Sequence, residues 1–318
     1  MKLTHYLRKI ASAVCAAMLC LGCMTACSAS PADDGKLKIV TTVYASYDLA
    51  KQLTDGFDTE ADVKLLLTPG GESHSYEPTP SDVAAIQSCD LFVYIGGTSE
   101  KWADKLIETS RADKANLRLF DAVTLLDEEE SESMQPEEEE EDEEYDEHIW
   151  TTPRNAISMA DAMRIAIDEI VSDEAEKCDI SYKKLNEEFT ALDEAAKEIR
   201  ANAKTDTLIF ADRFPFRYFT HAYGWNYDAA FSGCSSDTDA SAATLSALIS
   251  KVKELGVGTV FYLENSSQKV SDAVCEATGA KAVMLQSGNN VSAEDFSAGK
   301  HLQQIMTENL DAIKEAVS

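Results

Sequence analysis

An α/β protein of two similar lobes is the fold that these 318 residues predict, each lobe with a mainly parallel sheet flanked by helices, the two joined by a long α-helix. Two observations carry the expectation. Short apolar runs alternate with amphipathic helical stretches in residues 37–126 and again in 205–318, the pattern of βαβ units. Between them, from Arg154 to Tyr223, there is no glycine and one proline, Pro215, as a long helix requires.

Taken in order, residues 1–26 read as a targeting segment. Lys2, Arg8 and Lys9 precede the apolar run Ile10–Leu21, which is too short to cross a bilayer as a helix. Small residues then lead to Cys27 in Met24-Thr-Ala-Cys27, as in a bacterial lipobox. Cys27 is the candidate lipid-bearing residue, Cys23 the alternative, and secretion without lipid a third reading. Residues 27–36 are small and polar, as a tether should be.

The first lobe spans 37–126. Strands are expected at Lys38–Thr42, Val63–Leu67, Leu91–Ile95 and Leu117–Phe120, with helices at Tyr47–Leu53, Ser81–Gln87 and Lys101–Ser110. Between the second strand and the second helix, Gly70-Gly71 turns the chain into His74, and Pro78 and Pro80 stiffen the exit. A histidine so placed is either aimed at a ligand or a plain surface-loop residue.

Residues 127–147 form an acidic run. Fifteen carboxylates and no basic residue fall there, about half of the net charge of −29. The like charges repel and no core can form, so disorder is expected, either as a solvated spacer or as a cation-concentrating loop. The net charge argues against nucleic acid as a partner.

Residues 148–204 hold the linking helix, with Thr152 as N-cap and Pro153 at the first helical position. Tyr182, Leu185, Phe189, Leu192, Ala196 and Ile199 make one apolar stripe, as do Ile157, Ala160, Met163, Ile167 and Ile170 before them. One continuous helix of some forty residues would span about 60–70 Å, with a break near Cys178–Asp179 as the alternative. The second lobe, 205–318, is read as strands at Thr207–Ala211, Thr259–Leu263 and Lys281–Leu285, with helices at Leu245–Leu255 and Leu302–Val317. Cys89, Cys178, Cys234 and Cys275 show no metal spacing. A Cys234–Cys275 disulfide and free buried thiols are both open.

Three stretches share a resemblance. His74-Ser-Tyr-Glu-Pro-Thr-Pro-Ser-Asp82 with Asp90-Leu-Phe-Val-Tyr94, Asp146-Glu-His-Ile-Trp-Thr-Thr-Pro-Arg-Asn155, and Asp212-Arg-Phe-Pro-Phe-Arg-Tyr218 resemble the metal-binding solute-binding lipoproteins of ABC importers. The resemblance covers nearly the whole mature chain. It implies capture of zinc, or alternatively manganese, by a monomer held by lipid on the extracellular face of the bacterial cell membrane. It further implies delivery to an ABC permease in the membrane, without catalysis. It makes His74 and His148 metal ligands. The family's third ligand lies in the stretch before Tyr218, where the strict register falls on Arg213, which cannot bind a metal. Asp212 would serve if the loop carries a one-residue bulge, and otherwise pairs with Arg213 or Arg217. Glu264 is the candidate fourth ligand, with a carboxylate hydrogen-bonded to a loop as the other reading. Two imidazoles and two carboxylates suit zinc first and manganese second, and binding should weaken as pH falls through the histidine range. A secreted metallohydrolase and a surface adhesin using the acidic run are the rivals; the absence of H-E-x-x-H weakens the former.

Overall fold

The computed structural model describes residues 35–71, 75–109, 114–136, 145–235 and 239–318. Leu37–Ser318 form one compact unit. His74, Cys27 and the core of the acidic run, residues 137–144, lie outside the described residues.

The first lobe carries strands β1 (Leu37–Thr41), β2 (Ala61–Leu65), β3 (Leu91–Tyr94) and β4 (Ala115–Arg118), all parallel, in the order β2-β1-β3-β4. The second repeats that order as β6-β5-β7-β8, with β5 (Thr207–Arg213), β6 (Asn226–Phe231), β7 (Thr259–Leu263) and β8 (Lys281–Leu285). The two sheets are therefore topological copies. Helices α1 (Tyr44–Leu53), α2 (Pro80–Ser88) and α3 (Lys101–Ile107) belong to the first lobe. Strand β6 was missed by the hydropathy reading because Asn226 and Asp228 interrupt its apolar residues. Asp228 is nonetheless buried, because it is satisfied by Ser131 and Ser133.

The link between lobes differs from one continuous rod. Helix α4 (Pro153–Ile170) ends at Val171, and α5 (Ala175–Asn202) begins after a four-residue turn, so the two fold back on each other. The turn lies a few residues before the expected break at Cys178–Asp179. Arg164 on α4 ties the hairpin shut by bonding Asp179 of α5 at 3.1 Å. Helix α5 alone is about 42 Å long. Its Leu185 and Phe189 sit in the first lobe's core and its Ala196 in the second's.

Between β5 and β8 lie α6 (Arg217–Tyr223), α7 (Ala242–Leu255) and α8 (Lys269–Thr278), and α9 (Ala293–Ala298) follows β8. The last helix, α10 (Leu302–Val317), also straddles both cores, with Leu302 and Met306 in one and Leu310, Ile313 and Val317 in the other. Two packed helices spanning both lobes resist bending more than a single loop would. Among the described residues no helix is long and apolar enough to cross a membrane.

The described part of the acidic run is not a free spacer. Ser131 and Ser133 donate to Asp228, Met134 enters the second lobe's core, and Gln135 N–H donates to Ala230 O at 2.9 Å. Lys251 pairs with Glu132 at 2.7 Å. Residues 129–135 thus lie along β6, the edge strand of its sheet, and cover it. The groups that reach β6 and the core come mostly from the few residues in the run that are not acidic, while Glu129 and Glu132 add ion pairs to Arg217 and Lys251. Cys89, Cys178, Cys234 and Cys275 are all free thiols, which settles the cysteine alternatives against a disulfide.

One cross-lobe contact joins a histidine to a carboxylate. His301 Nδ1 lies 2.8 Å from Asp48 Oδ1 on α1, and Leu302 N–H donates to Asp48 Oδ2 at 2.8 Å. The bond to Asp48 raises the imidazole's pKa; partial burial and Lys184 oppose it, and Glu188 adds to it. The folded-state value is the higher one. This contribution to stability is therefore full below the unfolded pKa of about 6.5 and lost as pH rises through the folded value. The melting-temperature gap between wild type and His301→Gln is expected to be larger at acidic than at alkaline pH. A gap that widens with rising pH would contradict this.

Candidate metal centre

Each segment that leads toward the cleft is held by polar groups that the sequence supplies nearby. The exit of the His74 segment is fixed by Asp82, whose carboxylate accepts from Tyr76 OH at 3.0 Å, Thr79 N–H at 3.1 Å and Thr79 OH at 2.7 Å. Lys64 Nζ adds an ion pair at 2.8 Å. Burial opposes the charge of Asp82, but Lys64, Thr79 and Tyr76 outweigh it and hold the pKa at about 2. Thr79 caps α2 and Pro80 opens it, so the motif's Tyr, Thr, Pro and Asp fix the chain that follows its histidine in sequence.

His148 is 2% exposed and precedes the short 3-10 turn Ile149–Thr151. Its backbone N–H donates to Asp146 Oδ1 at 2.8 Å, and its Nδ1 lies 3.3 Å from the same oxygen. With the proton on Nδ1 facing a carboxylate, Nε2 keeps the lone pair that a metal needs. Burial disfavours the imidazolium, yet Asp146, Glu147 and Glu128 together raise its pKa. Tyr218 OH donates to Asp146 O at 3.0 Å and so ties this segment to α6. Gly233 lies against the ring: a Cβ there would come within 3.1 Å of His148 Cε1 and 2.9 Å of Phe214 O.

Behind His148 lie two buried carboxylates. Glu147 accepts from Ser99 N–H at 2.8 Å, and Glu100 from Gly96 N–H at 2.9 Å. Burial raises both, Glu100 to about 7. Sequence reading did not single out this pair as site residues, although Glu147 lies inside the Asp146–Asn155 stretch.

Glu264 follows β7, next to Asn265, a non-glycine residue at φ 62°. Its carboxylate accepts from Ser287 N–H at 2.8 Å and from the Ser287 hydroxyl. Burial pushes its pKa up to about 7, while Ser287 and the Arg213 guanidinium act the other way.

His148 and Glu264 line one cavity of about 230 Å³ between the lobes, together with Gly70, Gly71, Arg213, Pro215, Gly233, Leu263, Asn265, Ser287, Asn289 and Asn290. It opens beyond the carboxyl ends of the adjacent strands β5 and β7, where the second sheet's strand order reverses. Asp212 is not brought to this cavity. The register between β5 and β6 shifts by one residue between Phe210 and Arg213, so the irregularity lies within the strand rather than in the loop after it. It presents Arg213 to the cavity, while Asp212 accepts from Arg213 N–H at 2.8 Å and Leu263 N–H at 3.1 Å and lines a separate small hollow. Among the described residues no three His, Cys, Asp or Glu side chains gather as a metal cluster. His221 is exposed on α6, away from the site.

The chain matches the profile described as zinc-uptake complex component A, periplasmic, over residues 39–316. It is 34% identical to the zinc-binding lipoprotein AdcA of Streptococcus pneumoniae strain TIGR4 over 304 residues, 94% of this chain and 59% of that protein. The chain thus spans about three-fifths of the length of that relative. It is 33% identical to the high-affinity zinc uptake system protein ZnuA of Bacillus subtilis strain 168 over 290 residues, 89% of this chain and 88% of that one. The crystal structure of the Zn(II)-bound ZnuA-like domain of pneumococcal AdcA superposes with a TM-score of 0.74 at 31% identity, covering 89% of this chain and 99% of that domain. The metal-dependent lipoprotein YcdH of B. subtilis gives 0.75 at 27% identity, covering 89% of this chain and all of the other. The profile match begins inside β1 and ends inside α10, so it takes in both lobes and the cavity between them, and the chain belongs to the zinc-uptake complex component A family.

Proposed function

We propose that this protein captures a divalent transition metal, zinc before manganese, between its lobes and delivers it to a membrane ABC permease for import. The observation that supports the reading best is that His148 and Glu264, 116 positions apart in sequence, line one cavity at the mouth of the second sheet. An imidazole held by a carboxylate and a second carboxylate are donors that suit zinc. The relatives at one-third identity are named for zinc, which favours it over manganese.

His74, His148 and Glu264 are the ligands in this reading, leaving one position for water. Asp212 serves the fold by joining the ends of β5 and β7, and Arg213 faces the cargo without binding it. The protein acts as a monomeric carrier, not a catalyst, held on the extracellular face by lipid on Cys27.

Competitive titration with zinc and manganese tests the assignment on wild type, His74→Ala, Glu264→Gln and Asp212→Asn. Tight one-to-one zinc binding is expected, weakened in the first two variants. Asp212→Asn should keep its zinc affinity within about threefold while melting earlier, because a buried acceptor of two backbone donors is compromised. Loss of zinc in Asp212→Asn at unchanged stability would return Asp212 to the ligand set.

A further inference from the structure

We propose that the loop Ser287–Val291 is the positioning element of the metal centre, and that Asn290 holds the turn leading to His74 in place from the opposite lobe. The proposal rests on the metal-capture reading above. In five residues this loop meets all three segments that deliver the candidate ligands. Ser287 O accepts from Trp150 Nε1, two residues after His148, at 2.9 Å. Ser287 N–H donates to Glu264 at 2.8 Å. Asn290 Nδ2 donates to Thr68 O at 2.9 Å and to Gly71 O at 2.8 Å, and Gly70 N–H donates to Val291 O at 2.9 Å. Asn289 O accepts from Tyr44 N–H at 2.8 Å, which fastens the same loop to α1.

Asn290 is 4% exposed, and its Oδ1 accepts from Val291 N–H at 2.8 Å. That bond sets the amide's orientation, so Nδ2 faces two carbonyls that can only accept. An aspartate there would keep the shape but turn both donations into repulsions. Gly288 supports the arrangement: at φ +73° a Cβ would lie 3.1 Å from Leu302 Cδ1 and 3.4 Å from Trp150 Cδ1. The turn Thr68–Gly71 is thus held by the far lobe as well as its own. A displacement of the lobes at this seam would break the bonds from Asn290 and Val291 to the Thr68–Gly71 turn and so loosen the site.

The test uses Asn290→Asp and Asn290→Ala in the whole mature protein, each in wild-type and His74→Ala backgrounds. Gln303→Ala is the control, since Gln303 bonds Gln52 and Glu188 away from the turn. Zinc affinity and chelator-driven release rate are measured, with amide hydrogen exchange of Thr68, Gly70 and Gly71 and melting temperature on the metal-free protein. Asn290→Asp is expected to weaken zinc binding by about 10–100-fold, mainly through faster release, as supporting partners of ligands do. Exchange at Gly70 should quicken, and the further loss should vanish once His74 is gone. Gln303→Ala should keep its zinc affinity. Unchanged affinity in both Asn290 variants, or an equal loss with and without His74, would overturn the proposal while leaving metal capture standing. A wild type that binds no zinc would overturn capture itself, and the proposal with it.

Discussion

His148→Ala is expected to lower zinc affinity by about 100-fold or more while the metal-free protein still folds. Structural zinc sites of four ligands bind with about 10–16 kcal/mol, so each ligand carries roughly 3 kcal/mol, or about two decades. The imidazole is well prepared for this role. Asp146 faces Nδ1, Gly233 packs beside the ring, and Tyr218 ties down the backbone of Asp146. Its removal leaves Asp146 still accepting from the backbone N–H of residue 148, so the loop keeps one of its anchors. Competition against a chromophoric chelator measures the loss, and circular dichroism of the metal-free variant checks the fold. Affinity within threefold of wild type would remove His148 from the ligand set.

The second large effect is expected at a residue with no side chain. Gly97 sits at φ +98°, where a Cβ would meet Glu147 Oε1 at 2.5 Å and its Cδ at 2.8 Å. Gly97→Ala therefore combines backbone strain of about 1–3 kcal/mol with overpacking of similar size. Together these predict a loss of about 2–6 kcal/mol, a fall in melting temperature of roughly 3–10 °C for a unit of this size. Glu147 cannot yield cheaply. Its carboxylate already accepts from Ser99 N–H and the Thr98 hydroxyl, and it is covalently next to His148. Zinc affinity should fall along with stability, unlike in a surface glycine variant such as Gly56→Ala. There φ is also positive, but nothing lies within 4 Å of the added atom. Calorimetry of Gly97→Ala and Gly56→Ala side by side separates crowding from backbone strain; equal losses in the two would remove the Glu147 contact as the cause.

Much of the architecture was legible in the chain because it rests on local patterns. Apolar runs such as Leu91–Ile95 and stripes such as Leu185–Phe189–Ala196 state their own period, and the period decides strand or helix. The motif around His74 announces a turn and a helix within a dozen residues, but the helix expected from Ser81 starts at Pro80 with Thr79, not Ser81, as its cap. The turn between α4 and α5 was less legible, since nothing in Val171–Glu174 forbids a helix. The hairpin comes from the packing of two apolar stripes against each other and from Arg164 reaching Asp179. The acidic run misled because its charge hid Ser131, Ser133, Met134 and Gln135, whose partners Asp228 and Ala230 lie about a hundred positions away.

The site divides along the same line. His148 and Glu264 could be picked out from residue type and position at the ends of elements, whereas the outcome at Asp212 and Arg213 could not. A one-residue bulge exchanges the faces of neighbouring strand residues, because side chains alternate with a period of two. Which face each takes depends on whether a backbone donor such as Leu263 N–H waits on the other side. Nor does the chain show that Ser287–Val291 meets the Trp150 segment, Glu264 and the Thr68–Gly71 turn at once. Local periodicity and capping chemistry were enough to write down the two lobes. Only the packing of one lobe on the other, through hydrogen bonds between residues more than two hundred positions apart, decides what faces the cavity.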